Sequence, residues 1–301
     1  MLLIDQLTSQ LMLLNHCRGI GRRTVWRLIQ SDPALRHLNS YSINDWLTKY
    51  GVPPKHAQLF IKDFNSMNPI DLAHQYEHHH IVPIPFHHPS YPKRLKTISD
   101  PPYLLYAKGD LTLLNSYKAL SVVGTRHPSI EANHVMHEVL TPLVEQGWVI
   151  ISGMAMGIDG MAHRIAENGK TIAVLGSGLL HPYPAQHHTL FSQLCKNQLV
   201  ISEYPPSARP ERWRFPERNR IISGLGLGTL VIEAKEKSGS LITADQALDQ
   251  GREVFAIPGS ILKDNSSGTN RLIQQGAKLV CHWHDIIDEF SLPFGELFNK
   301  A

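Results

Sequence analysis

From about residue 118 onward the chain alternates short apolar runs with helix-length segments, and this rhythm limits the possible folds more than any other feature. The runs are 119–123 (ALSVV), 148–152 (WVIIS), 171–175 (TIAVL), 199–202 (LVIS), 229–233 (TLVIE), 253–257 (EVFAI) and 277–280 (AKLV). They are continuously apolar, as strands are when both faces of a parallel sheet are covered by crossover helices. The clearest intervening helix places Ala132, Val135, Met136, Val139, Leu140, Leu143 and Val144 on one face, with Gly147 positioned to cap it. The expected class is therefore α/β, an extended Rossmann-like, mostly parallel sheet over residues 81–290.

Residues 1–64 follow another pattern. Leu7, Leu11 and Leu14 have helical spacing, Cys17-Arg18-Gly19-Ile20-Gly21 breaks it, and Val25, Leu28 and Ile29 resume it, with helical pieces near 43–50 and 54–64. A small all-helical N-terminal domain is expected, joined by a polar linker at 65–80. Six prolines (Pro83, Pro85, Pro89, Pro92, Pro101, Pro102) and a strand-like Tyr103–Tyr106 mark 81–117 as an extension of the sheet's edge, where missing N–H donors do least harm. Residues 291–301 are expected to be a tail.

Composition narrows the class. Adding 21 Gly to the 42% hydrophobic residues gives about 49% apolar content, and charged residues make up only 18%, so the chain is globular and not disordered. No apolar run approaches the ~20 residues that cross a bilayer, and Asp5 stands where a signal peptide would be basic. Cys17, Cys195 and Cys281 form no CxxC pair, which fits the cytoplasm and provides no cysteine-rich zinc site. A net charge of +3 means that any anion site must be local.

Three successive strands are followed by glycine loops: Gly124-Thr125-Arg126, Ser152-Gly153-Met154-Ala155-Met156-Gly157 and Gly176-Ser177-Gly178. In a parallel sheet these ends share one rim, where helix N-termini and backbone amides favour anions. One such loop is more often only a tight turn, but three together point to several phosphates. No cofactor is expected. Gly176-Ser177-Gly178 has His181 where a dinucleotide fingerprint needs its last glycine, and Gly169-Lys170-Thr171 precedes a strand and lacks the first glycine of a P-loop. Arg209, Arg212, Arg214, Arg218 and Arg220 fall within twelve residues and are interleaved with Trp213 and Phe215. Guanidinium forks suit phosphate and flat rings suit unpaired bases, a combination that selects single strands. The competing reading gives the rings to the core and the arginines to surface ion pairs.

These elements, together with Ile158-Asp159, Phe215-Pro216-Glu217-Arg218-Asn219-Arg220-Ile221-Ile222-Ser223, Ser238-Gly239-Ser240-Leu241-Ile242-Thr243-Ala244 and Ile257-Pro258-Gly259, resemble the DNA-processing protein A family (DprA, also called Smf) over most of residues 80–290. The resemblance implies a homodimer that binds single-stranded DNA in a basic pocket. It also implies help in loading the RecA recombinase during natural transformation, with single-strand-binding protein as a further partner. By position it implies that Arg126 holds a phosphate beside the amides of Gly153 and Gly176, that Arg212 pairs with another, and that Phe215 stacks on a base. Gly124, Thr125, Ser152, Met154, Ser177 and Asn219 complete the expected DNA contacts. Arg218 and Arg220 are expected either to join them or to bind the sheet's carbonyl ends or an acid such as Glu233. Gly19, Gly21, Arg22 and Arg23 look like a helix-hairpin-helix turn and so a second DNA contact, although such turns also serve protein contact or packing. Some family members carry a C-terminal winged helix, which is not expected after Ile286–Phe290.

Two enzyme readings compete with binding. Asp159, Glu203 and Glu233 near strand ends would suit a metal-dependent nuclease. Gly226-Leu227-Gly228-Thr229 approaches a phosphoribohydrolase loop, but Glu233 falls one residue too late. The histidines at 78–80, 87–88 and 187–188 fit solvated loops better than a metal site, and no metal is expected. His163, four residues after Asp159, forms a helical pair of the structural kind.

Overall fold

The computed structural model describes residues 4–291; the tail expected at 291–301 lies almost wholly outside them. Five helices come first: α1 (Gln6–His16), α2 (Arg22–Ser31), α3 (Ile43–Tyr50), α4 (Pro54–Ser66) and α5 (Pro69–His78). Local chemistry sets their ends. Asp5 accepts from the Thr8 amide, Ser42 and Asp45 form a reciprocal capping box, and Gly51 stops α3 at a φ of 64°. The expected linker at 65–80 is instead largely α5, which Asn68 caps and Pro69 starts, with Tyr76 fully buried. Leu72, Ala73 and Tyr76 have helical spacing, but the pattern is short and set among polar residues.

Two strands follow, β1 (Val82–Pro85) and β2 (Leu104–Gly109), and then the alternating unit: β3 (Ala119–Val123), α6 (Ile130–Glu145), β4 (Val149–Ser152), α7 (Ile158–Ile165), β5 (Lys170–Leu175), α8 (His188–Asn197) and β6 (Leu199–Ser202). The chain continues through α9 (Arg214–Leu225), β7 (Gly228–Val231), α10 (Gly239–Asp249), β8 (Glu253–Ala256), α11 (Asp264–Gln274), β9 (Lys278–Leu279) and α12 (His284–Ser291). The nine strands lie in the order β1-β2-β6-β5-β4-β3-β7-β8-β9. β1 and β2 are antiparallel additions at one edge, and every other pairing is parallel. The proline-rich segment thus forms the sheet edge, as expected.

Both sheet faces are buried. Leu105, Ala107, Ile151, Val174 and Ile201 point into one core beneath α9 and α10. Toward the other face, Leu120, Val122 and Ile150 pack with residues of α6 and α7. On that second face Leu104, Tyr106, Ala173, Leu175 and Val200 share a single apolar cluster with Leu11, Leu14, Trp46 and Phe60 of the helical domain. The N-terminal helices therefore serve as a covering layer of the sheet.

Candidate nucleic-acid interface

Because β3, β4, β5 and β6 are parallel neighbours, the loops that follow them share one rim. Close backbone approach explains the glycines there. A Cβ on Gly157, which has a φ of 77°, would lie 2.4 Å from the Thr125 carbonyl oxygen, so the second loop is seated directly on the first. A Cβ on Gly176 would sit 2.8 Å from Phe215 Cδ1, so the third loop is the floor for that ring. Neither Gly157, at the N-cap of α7, nor Trp213, at the N-cap of α9, supplies a side-chain cap; the first amides of the two helices, those of Ile158 and Arg214, donate instead to the Thr125 and Glu211 carbonyls at 3.2 and 3.0 Å.

The rings stand at this surface. Phe215 is half-buried with its centroid 5.6 Å from Tyr183, while Trp213 is 52% exposed and its indole N–H donates to Glu211 at 2.6 Å. Arg214 lies over both Tyr204 and Trp213, 4.9 and 5.1 Å from their centroids, and pairs with Glu211 at 2.8 Å. Arg126, Arg209 and Arg212 are exposed, and among the described residues none has an ion-pair partner for its guanidinium. Arg126 and Arg212 thus stand at the rim as exposed cations without an ion pair.

Other expected contacts lie beneath that surface. Ser152, Met154 and Ser177 are buried; the Ser152 hydroxyl donates to the Val122 carbonyl at 2.7 Å, and the Ser177 carbonyl accepts from Ser202 Oγ at 2.7 Å. Asn219 reaches back to the Gly239 carbonyl at 3.4 Å. Arg218, 5% exposed, donates to the Val174 carbonyl at the end of β5, and burial lowers its pKa despite the opposing field of Asp159. A Cβ on Gly153 would meet both Arg218 Nη1 and Asp159 Oδ2 within 2.4 Å, so this glycine is the gap into which the two charges fit. Burial pushes the Asp159 carboxyl up, and Arg218 opposes that shift. Arg220, also buried, pairs with Glu203 at 2.6 Å. The two arginines thus take the carbonyl-and-acid alternative, but with different acids: Glu233 instead accepts from the Ser129 amide at 2.9 Å and from Asn265 at 3.1 Å.

The N-terminal turn is likewise occupied internally. A Cβ on Gly19 would lie 2.2 Å from the His56 carbonyl oxygen, so this glycine packs on α4, whereas Gly21 has open space around it. Arg22 donates to Asp100 through two nitrogens and lies 3.6 Å from Glu203 and 3.8 Å from Glu217. The half-burial of Asp100 raises its pKa, but the Arg22 bonds outweigh this and leave it below the usual carboxylate range. Arg23 is exposed.

Asp159, Glu203 and Glu233 are therefore each held by a different partner, and among the described residues no cluster of three or more His, Cys, Asp or Glu could hold a metal ion. Sequence reasoning missed Tyr183, Tyr204 and Asp100. Tyr204 was within its reach, since the loop after β6 ends on the same rim as the three glycine loops.

Comparison with known proteins identifies relatives over most of the chain. The family described as DNA recombination-mediator protein A matches residues 83–291. The DNA processing protein DprA of Bacillus subtilis (strain 168) is 47% identical over 231 residues, 76% of this chain and 77% of that protein. The DNA processing protein DprA of Streptococcus pneumoniae is 48% identical over 202 residues, 66% and 71% of the respective lengths. The X-ray structure of DprA from Streptococcus pneumoniae superposes with a TM-score of 0.81 at 35% identity, covering 94% of this chain and 97% of that one. DNA processing protein A from Helicobacter pylori, solved for its single-stranded DNA binding mode, superposes with a TM-score of 0.64 at 28% identity over 70% of this chain and 95% of that one. No described helix is long and apolar enough to cross a membrane.

Proposed function

This chain belongs to the DNA recombination-mediator protein A family, and on that premise we propose that the rim of its sheet binds single-stranded DNA, protects it, and helps load the RecA recombinase on it during natural transformation. The protein works in the cytoplasm as a homodimer, with RecA and single-strand-binding protein as protein partners. The observation that carries the reading is the presence, at one surface, of cations without an ion pair, Arg126 and Arg212, and of accessible rings, Trp213 and Phe215, the latter on a glycine floor. Phosphates meet guanidinium groups while unstacked bases lie on the rings; a duplex keeps its base faces covered and cannot use them. Arg218 and Arg220 act as positioning residues, holding the ends of β5 and β6 in place beneath that surface. The single-stranded DNA bound by the Helicobacter pylori relative supports this assignment.

The test is an anisotropy titration of one labelled oligonucleotide, single-stranded and then annealed, at fixed salt with Mg²⁺ present. The single strand is expected to bind far more tightly and to stay intact throughout. Equal affinity for the duplex, or cleavage that Glu233→Gln abolishes, would overturn the reading.

A further inference from the structure

Beyond β6 the rim continues, because β2 runs against the other strands and β1, reversed again, runs with them. Pro85 pairs with Leu104, and Tyr106 pairs with Ser202, so the end of β1 and the start of β2 emerge on the side where β3 to β6 end. At ~4.8 Å per strand the five gaps from β3 to β1 span about 24 Å. At the far end α2 leans over the connection between β1 and β2 and encloses a groove of about 570 Å³. Its apolar floor is Trp26 set edge-on to Phe86, centroids 4.8 Å apart, with the indole N–H donating to the Pro101 carbonyl at 2.9 Å. Arg23 and Arg27 border it and are exposed, while Lys96 lies 5.1 Å from the Phe86 centroid. The one acid in its wall, Asp100, is already neutralised by Arg22, so the groove keeps a surplus of positive charge.

We infer that this groove is a second binding site for single-stranded nucleic acid, continuous with the rim, in which Arg23, Arg27 and Lys96 take phosphates and Trp26 and Phe86 support bases. The inference rests on the rim reading and extends it. Charge surplus beside accessible rings is the chemistry of a single-strand platform. The shared sheet edge makes the groove the continuation of one path. The contact differs from a helix-hairpin-helix contact, in which backbone amides of the turn take the phosphate, since Gly19 is packed and Arg22 is consumed; here the ligand groups are the side chains of Arg23, Arg27 and Lys96.

The experiment measures affinity against length, using oligothymidylates of about 6, 12 and 20 nucleotides. The full chain, the double variant Arg23→Ala/Arg27→Ala and Arg126→Ala are compared, and melting curves confirm that the variants fold. The double variant is expected to match the unmodified chain on the shortest strand and to lose about tenfold on the longest, whereas Arg126→Ala weakens every length. Arg23→Lys/Arg27→Lys should recover most of the loss, because phosphate contact needs the charge. Two results overturn the groove while leaving the rim intact: no effect at any length, which would leave the groove to an acidic polypeptide, or an equal loss at all lengths. Failure of the unmodified chain to bind even the shortest strand would instead overturn the rim reading.

Discussion

At the scale of single residues, the arginines of this protein divide by depth. Arg126 is exposed and makes no ion pair; its field favours ionised Asp159 and opposes charged Arg218, two effects of opposite sign on the fold, and its guanidinium is open to a ligand. Arg126→Ala is expected to lower single-strand affinity roughly 10- to 100-fold, the range of a lost charge-assisted contact, with an unchanged melting temperature. Repeating the titration at several salt concentrations should give a log–log slope flatter by about 0.7, one phosphate fewer. The sequence placed Arg126 at the end of a glycine loop and Phe215 among the arginines, and the family resemblance supplied the roles expected of them. It left Arg218 and Arg220 open, since depth along a helix depends on what packs against it. The Arg218 partners, Val174 and Asp159, are both supplied by other elements.

Among the elements, α7 is tied to the sheet by one imidazole. His163 Nε2–H donates to the Gly153 carbonyl at 2.6 Å, and Nδ1 lies 2.7 Å from the Thr171 hydroxyl, which itself donates to the Ile150 carbonyl at 2.7 Å. Burial brings its pKa down to about 4. Between about pH 6.5 and 4 the unfolded chain takes up a proton that the folded one refuses, so stability falls as the solution is acidified, by about 3 kcal/mol over the window. His16, also brought down to about 4 by burial, adds in the same direction; Asp159, whose carboxyl burial pushes up, opposes both. Urea midpoints at pH 7 and pH 4.5 should show the decline, and His163→Gln should flatten it. The strands were legible in the sequence because two-sided burial writes them as unbroken apolar runs. α5 was not, since its apolar spacing is short and set among polar residues.

For the whole molecule, the decisive link is the charge network at Arg22. Its Asp100 partner is 78 residues away in sequence, and Glu203 and Glu217 are farther still, so no local pattern could have announced it. Arg22→Ala removes the two hydrogen bonds to half-buried Asp100, leaving that carboxylate only Arg220 at 3.6 Å, and is expected to cost about 2 kcal/mol in urea unfolding. Arg22→Lys should restore only part of this, because an ammonium cannot reproduce the two-pronged bond. The helical domain and the sheet should still unfold together, since one apolar cluster spans both.

The one reversed strand near the sheet margin, β2, also opens an evolutionary route. The connection from Phe86 to Tyr103 faces the same shore as the glycine loops, yet it belongs to no parallel crossover. Insertions or deletions confined to that stretch would adjust how much polymer the protein spans without shifting the register of any ladder, and closing a longer loop grows costlier only logarithmically.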